Sequence, residues 1–349
     1  MLGKYSMPQL EPYWMKDYAL ERSTRFTFEY TGKKSLADQL VFLHESWLIL
    51  DQDYKFLSAQ ISQAVKQSQR FPVLCLSSNY HLCDKIKQVL DLTLGDENYF
   101  ILVADPQHDS GQNTAAWPQF LITLNEFENL QENQPKKHRI SYLSGGLRLH
   151  RLQLWDAIKP HVTDQDVVII NRFGLENFQN TFDHRKISVE HAQAQLNSWY
   201  KHLPWSNHLD LIDNLDQTVY NAADPWHNYH PAYAAMINIT GETLTDHDMM
   251  ITEKTWKAYR SGCLVVNFGP TDSPLYLKQI GLEIWQEYDP CVHYLDKIAL
   301  IKQLFQRSDI DDLFFQHKQM IQHNQNLVNS MSFIIQQTQP AVEKLQALL

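Results

Sequence analysis

The chain has 349 residues and a mass of 40.9 kDa, with 44% hydrophobic and 20% charged residues, a composition that excludes a disordered or collagen-like protein. Its 30 basic and 40 acidic residues leave a net charge of −10 and a pI near 5.9, without the basic stripe that a duplex-DNA binder carries. This length exceeds what one hydrophobic core usually serves, so two domains are expected.

The short basic run Lys136-Lys137-His138-Arg139 abuts an apolar segment and reads as a solvated strand entry. The four cysteines, Cys75, Cys83, Cys263 and Cys291, contain no C-x-x-C pair, which argues against a zinc site or a disulfide framework. Met1 to Pro12 lacks the apolar core of a signal peptide, and no apolar run is long enough to span a bilayer. The expectation is a cytoplasmic chain with no transmembrane segment and no nucleic-acid partner, compatible with peripheral membrane contact.

Residues 1–35 give no clear pattern. Gln39 to Leu50 carries an apolar run, and Tyr54 to Gln67 has helical spacing through Phe56, Leu57, Ile61 and Val65. Phe71 to Ser77 and Tyr99 to Ala104 predict strands, with a helix over Cys83 to Leu94 between them and a further strand over Trp117 to Leu124. The polar stretch Glu126 to Lys137, which includes Pro135, reads as a linker.

The alternation then restarts. Arg139 to Leu143 predicts a strand, Leu147 to Ile158 a helix, and Val167 to Asn171 a buried strand. Residues 174–230 are polar and rich in Trp and His. Ala234 to Ile239 predicts a strand, Thr252 to Ser261 a helix closed by Gly262, and Cys263 to Phe268 a strand that turns out through Gly269-Pro270. Ser273 to Ile280 predicts a helix stopped by Gly281, Leu282 to Trp285 a short strand, and the chain from His293 onward a helical tail with Pro340 as an interruption. The fold class is therefore α/β, with two Rossmann-like domains facing across a cleft, one over 1–137 and one over 138–290, and a helical C-terminal tail over 291–349. Ligands of such sheets lie at the carboxyl ends of strands, which directs attention to the turns after Leu143, Asn171, Ile239 and Phe268.

The most informative segment is Tyr233 to Gly269. A strand ends at Ile239, the carboxylate Glu242 follows, and Thr252-Glu253-Lys254 opens a helix that leads to a second buried strand. Thr252 can cap the helix and leave its first amides facing an anion. Lys254 supplies a point charge for a diphosphate, and Glu242 or Glu253 can accept from ribose hydroxyls. Without such a ligand, Glu253-Lys254 is a solvated helix terminus with an acid in its first turn. Trp256 reads as core. Arg148 and Arg151 lie three apart on one helix face, suited to surface ion pairs or to an anion, with His150 between them.

Ile251-Thr252-Glu253-Lys254-Thr255-Trp256, preceded by Ile237-Asn238-Ile239 and Glu242 and followed by Gly262 through Gly269-Pro270, resembles the donor-binding region of α-1,3-fucosyltransferases. That family carries a strand, an acid, a loop, an I-T-E-K-x-W helix start and then G-x-x-x-V-x-x-G-P. Ser141 through Arg151 is similar to the strand, turn and Arg-bearing helix that open its donor domain. The segment also resembles glycosyltransferase-like proteins of phages and large viruses, whose L-P segment before the donor strand matches Leu203-Pro204. The resemblance covers residues 138–285; the family's Asn-Ser after the acid is replaced by Thr243-Leu244, and the donor sugar stays open.

The resemblance implies a glycosyltransferase of the GT-B fold. It would move a sugar from a nucleotide-sugar donor to a glycan or glycolipid acceptor in polysaccharide biosynthesis, with no cofactor and no metal. Arg148, Arg151 and Lys254 would neutralise the diphosphate, and Glu242 and Glu253 would meet ribose and sugar hydroxyls. A base on the first domain would deprotonate the acceptor, and Asp105, His108 and Asp109, after the strand YFILVA, are placed for it.

Two alternatives stay open: a non-catalytic glycan- or nucleotide-binding protein of the same fold, and a metal-dependent D-x-D transferase. Of the triplets Asp51/Asp53, Asp164/Asp166 and Asp246/Asp248, the last is nearest the site and has His247 within it. Trp226-His227-Asn228-Tyr229-His230 reads as a packed loop or the aromatic wall of a pocket, and Gly145-Gly146 as a turn or a phosphate-cradling loop.

Overall fold

A computed structural model describes residues 38–44, 66, 69, 71–76, 83–95, 98–103, 113–118, 135–146, 149–173, 205–206, 231–242, 249 and 251–349. It is a mixed α/β structure with parallel sheets and several helices, one of them at the C-terminus. The chain divides into two compact units, residues 1–126 with 331–349, and residues 127–330.

The first unit holds strands β1 (Leu40–His44), β2 (Phe71–Leu76), β3 (Phe100–Val103) and β4 (Thr114–Ala116), in the order β1-β2-β3-β4 and all parallel. Every residue of β3 is buried, the near-continuous apolar run expected of a strand covered on both faces. Helix α1 (Cys83–Leu94) follows β2 as read. Of the strand expected over Trp117 to Leu124, only residues 117 and 118 are described, and they are not in a strand. β4 precedes Trp117, whose N–H still bonds Val103 O at 2.7 Å, and residues 119–124 lie outside the described ones. Thr114-Ala115-Ala116 is too short and too weakly apolar to stand out as a strand in the sequence. The helical reading of Tyr54 to Gln67 also lies outside the described residues except at 66.

The second unit holds β5 (His138–Gly146), helix α2 (Leu149–Ile158), β6 (Val167–Phe173), β7 (Trp205–Ser206), β8 (Ala235–Gly241), helix α3 (Glu253–Arg260) and β9 (Leu264–Phe268). Strand order is β7-β6-β5-β8-β9, parallel except for β7. From β5 the chain moves outward to β6, then returns to lay β8 on the other side of β5. Their carboxyl ends therefore flank the point where the winding reverses, the crevice in which open α/β sheets take ligands.

Ile140, Tyr142, Ile237, Ile239, Val266 and Phe268 face a core completed by α2 and by helix α5 (Tyr294–Gln306). Ser141 and Asn238, register partners on β5 and β8, are buried polar residues that satisfy one another: Asn238 Nδ2 donates to Ser141 Oγ at 2.9 Å, and both side chains donate to Ala232 O. The entry to β5 is pinned rather than merely solvated, because Lys136 Nζ donates to Ser261 O at 2.7 Å and Tyr233 O at 3.0 Å.

β5 runs through Gly145-Gly146, where a turn was expected, with a register shift against β6 between Ser144 and Gly146. Helix α3 closes as read. Gly262 takes φ +65°, its N–H bonds Tyr259 O and the Cys263 N–H bonds Ala258 O, the paired bonds of a Schellman end that a side chain at 262 would strain. Helix α4 (Ser273–Gln279) stops before Gly281.

Leu282 to Trp285 is not a strand. Its backbone groups find a side chain instead: Glu283 N–H donates to Asn324 Oδ1, and Asn324 Nδ2 donates to Glu283 O, both at 2.8 Å. The helices after 290 divide between the units. Helices α5, α6 (Ile310–Gln316) and α7 (Lys318–Val328) belong to the second, whereas α8 (Met331–Leu348) lies against β4 in the first and continues through Pro340.

Candidate functional site at the carboxyl ends of the second sheet

The segment Tyr233 to Gly269 builds one polar cluster where β8 and β9 end. Glu242 follows β8 directly, and its own N–H continues the ladder by bonding Phe268 O at 3.0 Å. Its side chain turns inward and is wholly buried. Oε1 accepts from the Thr252 N–H (3.1 Å), the Thr255 hydroxyl (2.6 Å) and Asn267 Nδ2 (3.2 Å), while Oε2 pairs with the Thr252 hydroxyl. Thr255 Oγ1 in turn accepts from Asn267 Nδ2 at 2.7 Å and lies 2.7 Å from the Thr240 hydroxyl. Since the one Thr255 proton goes to Glu242, Thr240 is the donor of that last bond.

This arrangement explains why the motif is spelled as it is. Thr252 and Thr255 lie three apart at the start of α3 and converge on one carboxyl group. Thr252 holds the N-cap position but makes no side-chain cap; the expectation that its hydroxyl caps the helix is corrected, because the neighbouring carboxyl group takes it. Trp256 is buried, as read. Gly269 lets the cluster close: a Cβ there would fall 2.5 Å from Glu242 Cβ and 2.6 Å from Glu242 Cγ.

On the other side, α2 clamps the end of β8. Arg151 Nη2 donates to Gly241 O at 2.7 Å and Arg151 Nε to Glu242 O at 3.1 Å, and His150 Nε2 donates to the same Glu242 carbonyl at 3.1 Å. Arg151 and His150 are both buried. The guanidinium read as a diphosphate partner is thus directed at main-chain carbonyls, and it ties the first helix of the unit to the strand across the crevice.

The two acids differ in charge preference. Burial pushes the Glu242 carboxyl above its ordinary value, against the pull of Lys254 and of its bonds to Thr252 and Thr255. Burial acts the same way on Glu253, but the Lys254 ammonium at 2.6 Å, with Lys257 behind it, reverses the balance and holds Glu253 below the usual carboxylate range. Among the described residues, Lys254 is the cation of the cluster that reaches solvent: its side chain is 23% exposed, against 9% for Glu253.

The structure therefore brings Arg151, Glu242, Thr252, Glu253 and Lys254 to one place. Arg148, Asp105, His108 and Asp109 lie outside the described residues, as do Asp51/Asp53, Asp246/Asp248, Leu203-Pro204 and the His227–His230 loop. Among the described residues no group of three His, Cys, Asp or Glu could hold a metal ion. Asp166 closes a turn by accepting the Thr163 N–H and hydroxyl, at 2.9 and 2.8 Å.

Sequence reasoning missed Thr255, Asn267 and the closeness of Gly269 to Glu242. The available signal was polar residues within an otherwise apolar strand and at helical spacing from Thr252. Comparison of the chain with protein-family models, with curated proteins and with solved structures returns no match.

Proposed function

We propose that this protein is a glycosyltransferase that takes a sugar from a nucleotide-sugar donor and transfers it, without a metal, to a glycan or glycolipid acceptor, working in the cytoplasm with two facing domains of the GT-B kind. One observation carries the reading. A buried carboxyl group, Glu242, fixes the first turn of α3 at the carboxyl end of β8, beside the reversal point of the sheet, so that Lys254 stands at a helix N-terminus facing outward.

A helix N-terminus with a lysine favours a diphosphate, both in the bound donor and as the leaving group gains charge. Glu253, ionised beside Lys254, is suited to accept from ribose hydroxyls. Glu242 and Arg151 serve as positioning groups rather than as direct ligands. The resemblance to α-1,3-fucosyltransferases over residues 138–285 points the same way and supplies the reaction class. No helix among the described residues is long and apolar enough to cross a membrane.

The test is release of nucleoside diphosphate from a panel of GDP-, UDP- and CDP-sugars, with and without EDTA, in the presence of surface glycans. Release from donors of one nucleotide class, insensitive to EDTA and reduced about 100-fold in Lys254→Ala, is expected. Activity abolished by EDTA would instead support the D-x-D mechanism. Nucleotide binding without turnover would support the non-catalytic reading.

A further inference from the structure

Lys297 is a buried cation of the second unit that the site described above does not use. It lies on α5 with no exposed surface. Its Nζ reaches under the turn between β9 and α4, donating to Pro270 O at 2.6 Å, to Ser273 Oγ at 2.7 Å and, more distantly, to Gly269 O at 3.4 Å. The same turn carries Gly269, which packs against Glu242, and it follows directly on Phe268, the last residue of β9, whose carbonyl accepts the Glu242 N–H. Glu242 in turn holds Thr252 and Thr255.

We propose that Lys297 is a positioning residue of the donor site, acting through the Gly269-Pro270 turn to hold Glu242 against the start of α3. This rests on the reading of that site as a nucleotide-diphosphate site.

The oxygens that Lys297 contacts are all neutral: two carbonyls and a hydroxyl. The charged and titratable groups around it are Cys291, Asp272 and Glu242, with Asp296 beside it on α5 and Tyr288 bonded to Asn267 O. Burial dominates over the pull of Cys291, Asp272 and Glu242, and brings its pKa down to about 7.

The sign of the linkage follows. An opening of the turn that hydrates Lys297 restores its ordinary affinity for a proton, so opening takes up a proton above neutrality. Rising pH therefore disfavours opening, between about 7 and the value of a solvated lysine.

The experiment is amide hydrogen exchange of full-length protein, read as the protection factor of the Thr252 N–H after correction for its intrinsic rate. In the wild type, protection at Thr252 is expected to rise about tenfold from pH 7 to 8.5. Lys297→Met is expected to lower it about tenfold at pH 8.5 and to remove the rise with pH. Should that variant fail to fold, Ser273→Ala, which removes one acceptor of Lys297, is expected to lower protection in the same direction.

Protection at Thr252 unchanged in Lys297→Met, or unchanged in Ser273→Ala should Lys297→Met not fold, would overturn the proposal. A parallel titration with GDP, UDP and CDP separates the two readings. Nucleotide that binds, but with equal affinity to wild type and Lys297→Met, would also overturn it. No nucleotide binding at either pH, with Thr252 protection behaving as expected, would reject the donor site while supporting the hold of Lys297 on Glu242.

Discussion

Gly269→Ala is expected to lower the stability of the second unit by about 3 kcal/mol, a loss typical of overpacking a closed core. The added methyl would sit 2.5 Å from Glu242 Cβ, 2.6 Å from Glu242 Cγ and 2.8 Å from Asn267 Oδ1. Real side chains do not make such contacts, so something must move. Two of those atoms belong to a carboxylate side chain that four donor groups hold in place. The third belongs to an asparagine that is fully buried and bonded to the same carboxylate.

Neither side chain can swing away without breaking several bonds. The turn itself is tethered from below by Lys297. For a unit of this size the loss corresponds to a fall in melting temperature of about 6–12 °C, measurable by calorimetry. A drop under 2 °C would mean that the Glu242 cluster yields easily, and that Gly269 is there for the turn alone.

The second large effect separates two substitutions at one position. Glu242→Ala is expected to cost about 4 kcal/mol, because the Thr252 N–H, the Thr255 hydroxyl and Asn267 Nδ2 lose their acceptor where no water reaches. Glu242→Gln is expected to cost only about 1 kcal/mol at pH 7. Three of the four donors meet Oε1, which an amide oxygen can replace, while the Oε2 position needs only a partner for the Thr252 hydroxyl, which an amide N–H supplies by donating to it.

The upward shift of Glu242 fixes the dependence on pH. The folded state holds its proton more tightly than the unfolded state, so the contribution of Glu242 is most favourable below the unfolded value near 4.5. It declines as pH rises through the folded value. The deficit of Glu242→Gln relative to wild type should therefore be larger at pH 4.5 than at pH 7, as chemical denaturation at the two values would show. Equal destabilisation by alanine and glutamine would contradict the assignment of Oε1 as the principal acceptor.

The strands that can be read from sequence are those with long apolar runs: β2, β3, β6, β8 and β9. Each pairs in parallel with a neighbour, and β3, β8 and β9 are buried along their whole length, so that even the polar residues of β8 and β9 lie inside. β4 escaped because Thr114-Ala115-Ala116 is short and lies at a sheet edge. Leu282 to Trp285 looked like a strand because Leu282 and Trp285 are buried, yet Asn324 supplies its partners through a side chain, a pairing from a residue 41 positions away that no local pattern announces.

At the site, the acid after β8 and the Thr-Glu-Lys helix start were legible as residue types at the end of a strand. Their division of labour was not. Whether an acid faces solvent or turns inward depends on Gly269 and Asn267, which the register of β8 with β9 brings to Glu242, and on Thr255, which α3 brings there. The same holds for Arg151, whose guanidinium meets the carbonyls of Gly241 and Glu242 only once α2 is laid beside the end of β8.

The most direct measurement is calorimetric titration of the wild type and Lys254→Ala with GDP, UDP, CDP and CMP, with and without EDTA. The donor-site reading predicts binding of one nucleotide, unchanged by EDTA, with affinity lost about 100-fold or more in Lys254→Ala, a variant that still unfolds cooperatively though at a lower temperature, since Glu253 loses its ammonium partner. Binding that survives in Lys254→Ala, or no binding of any of the four to the wild type, would contradict it.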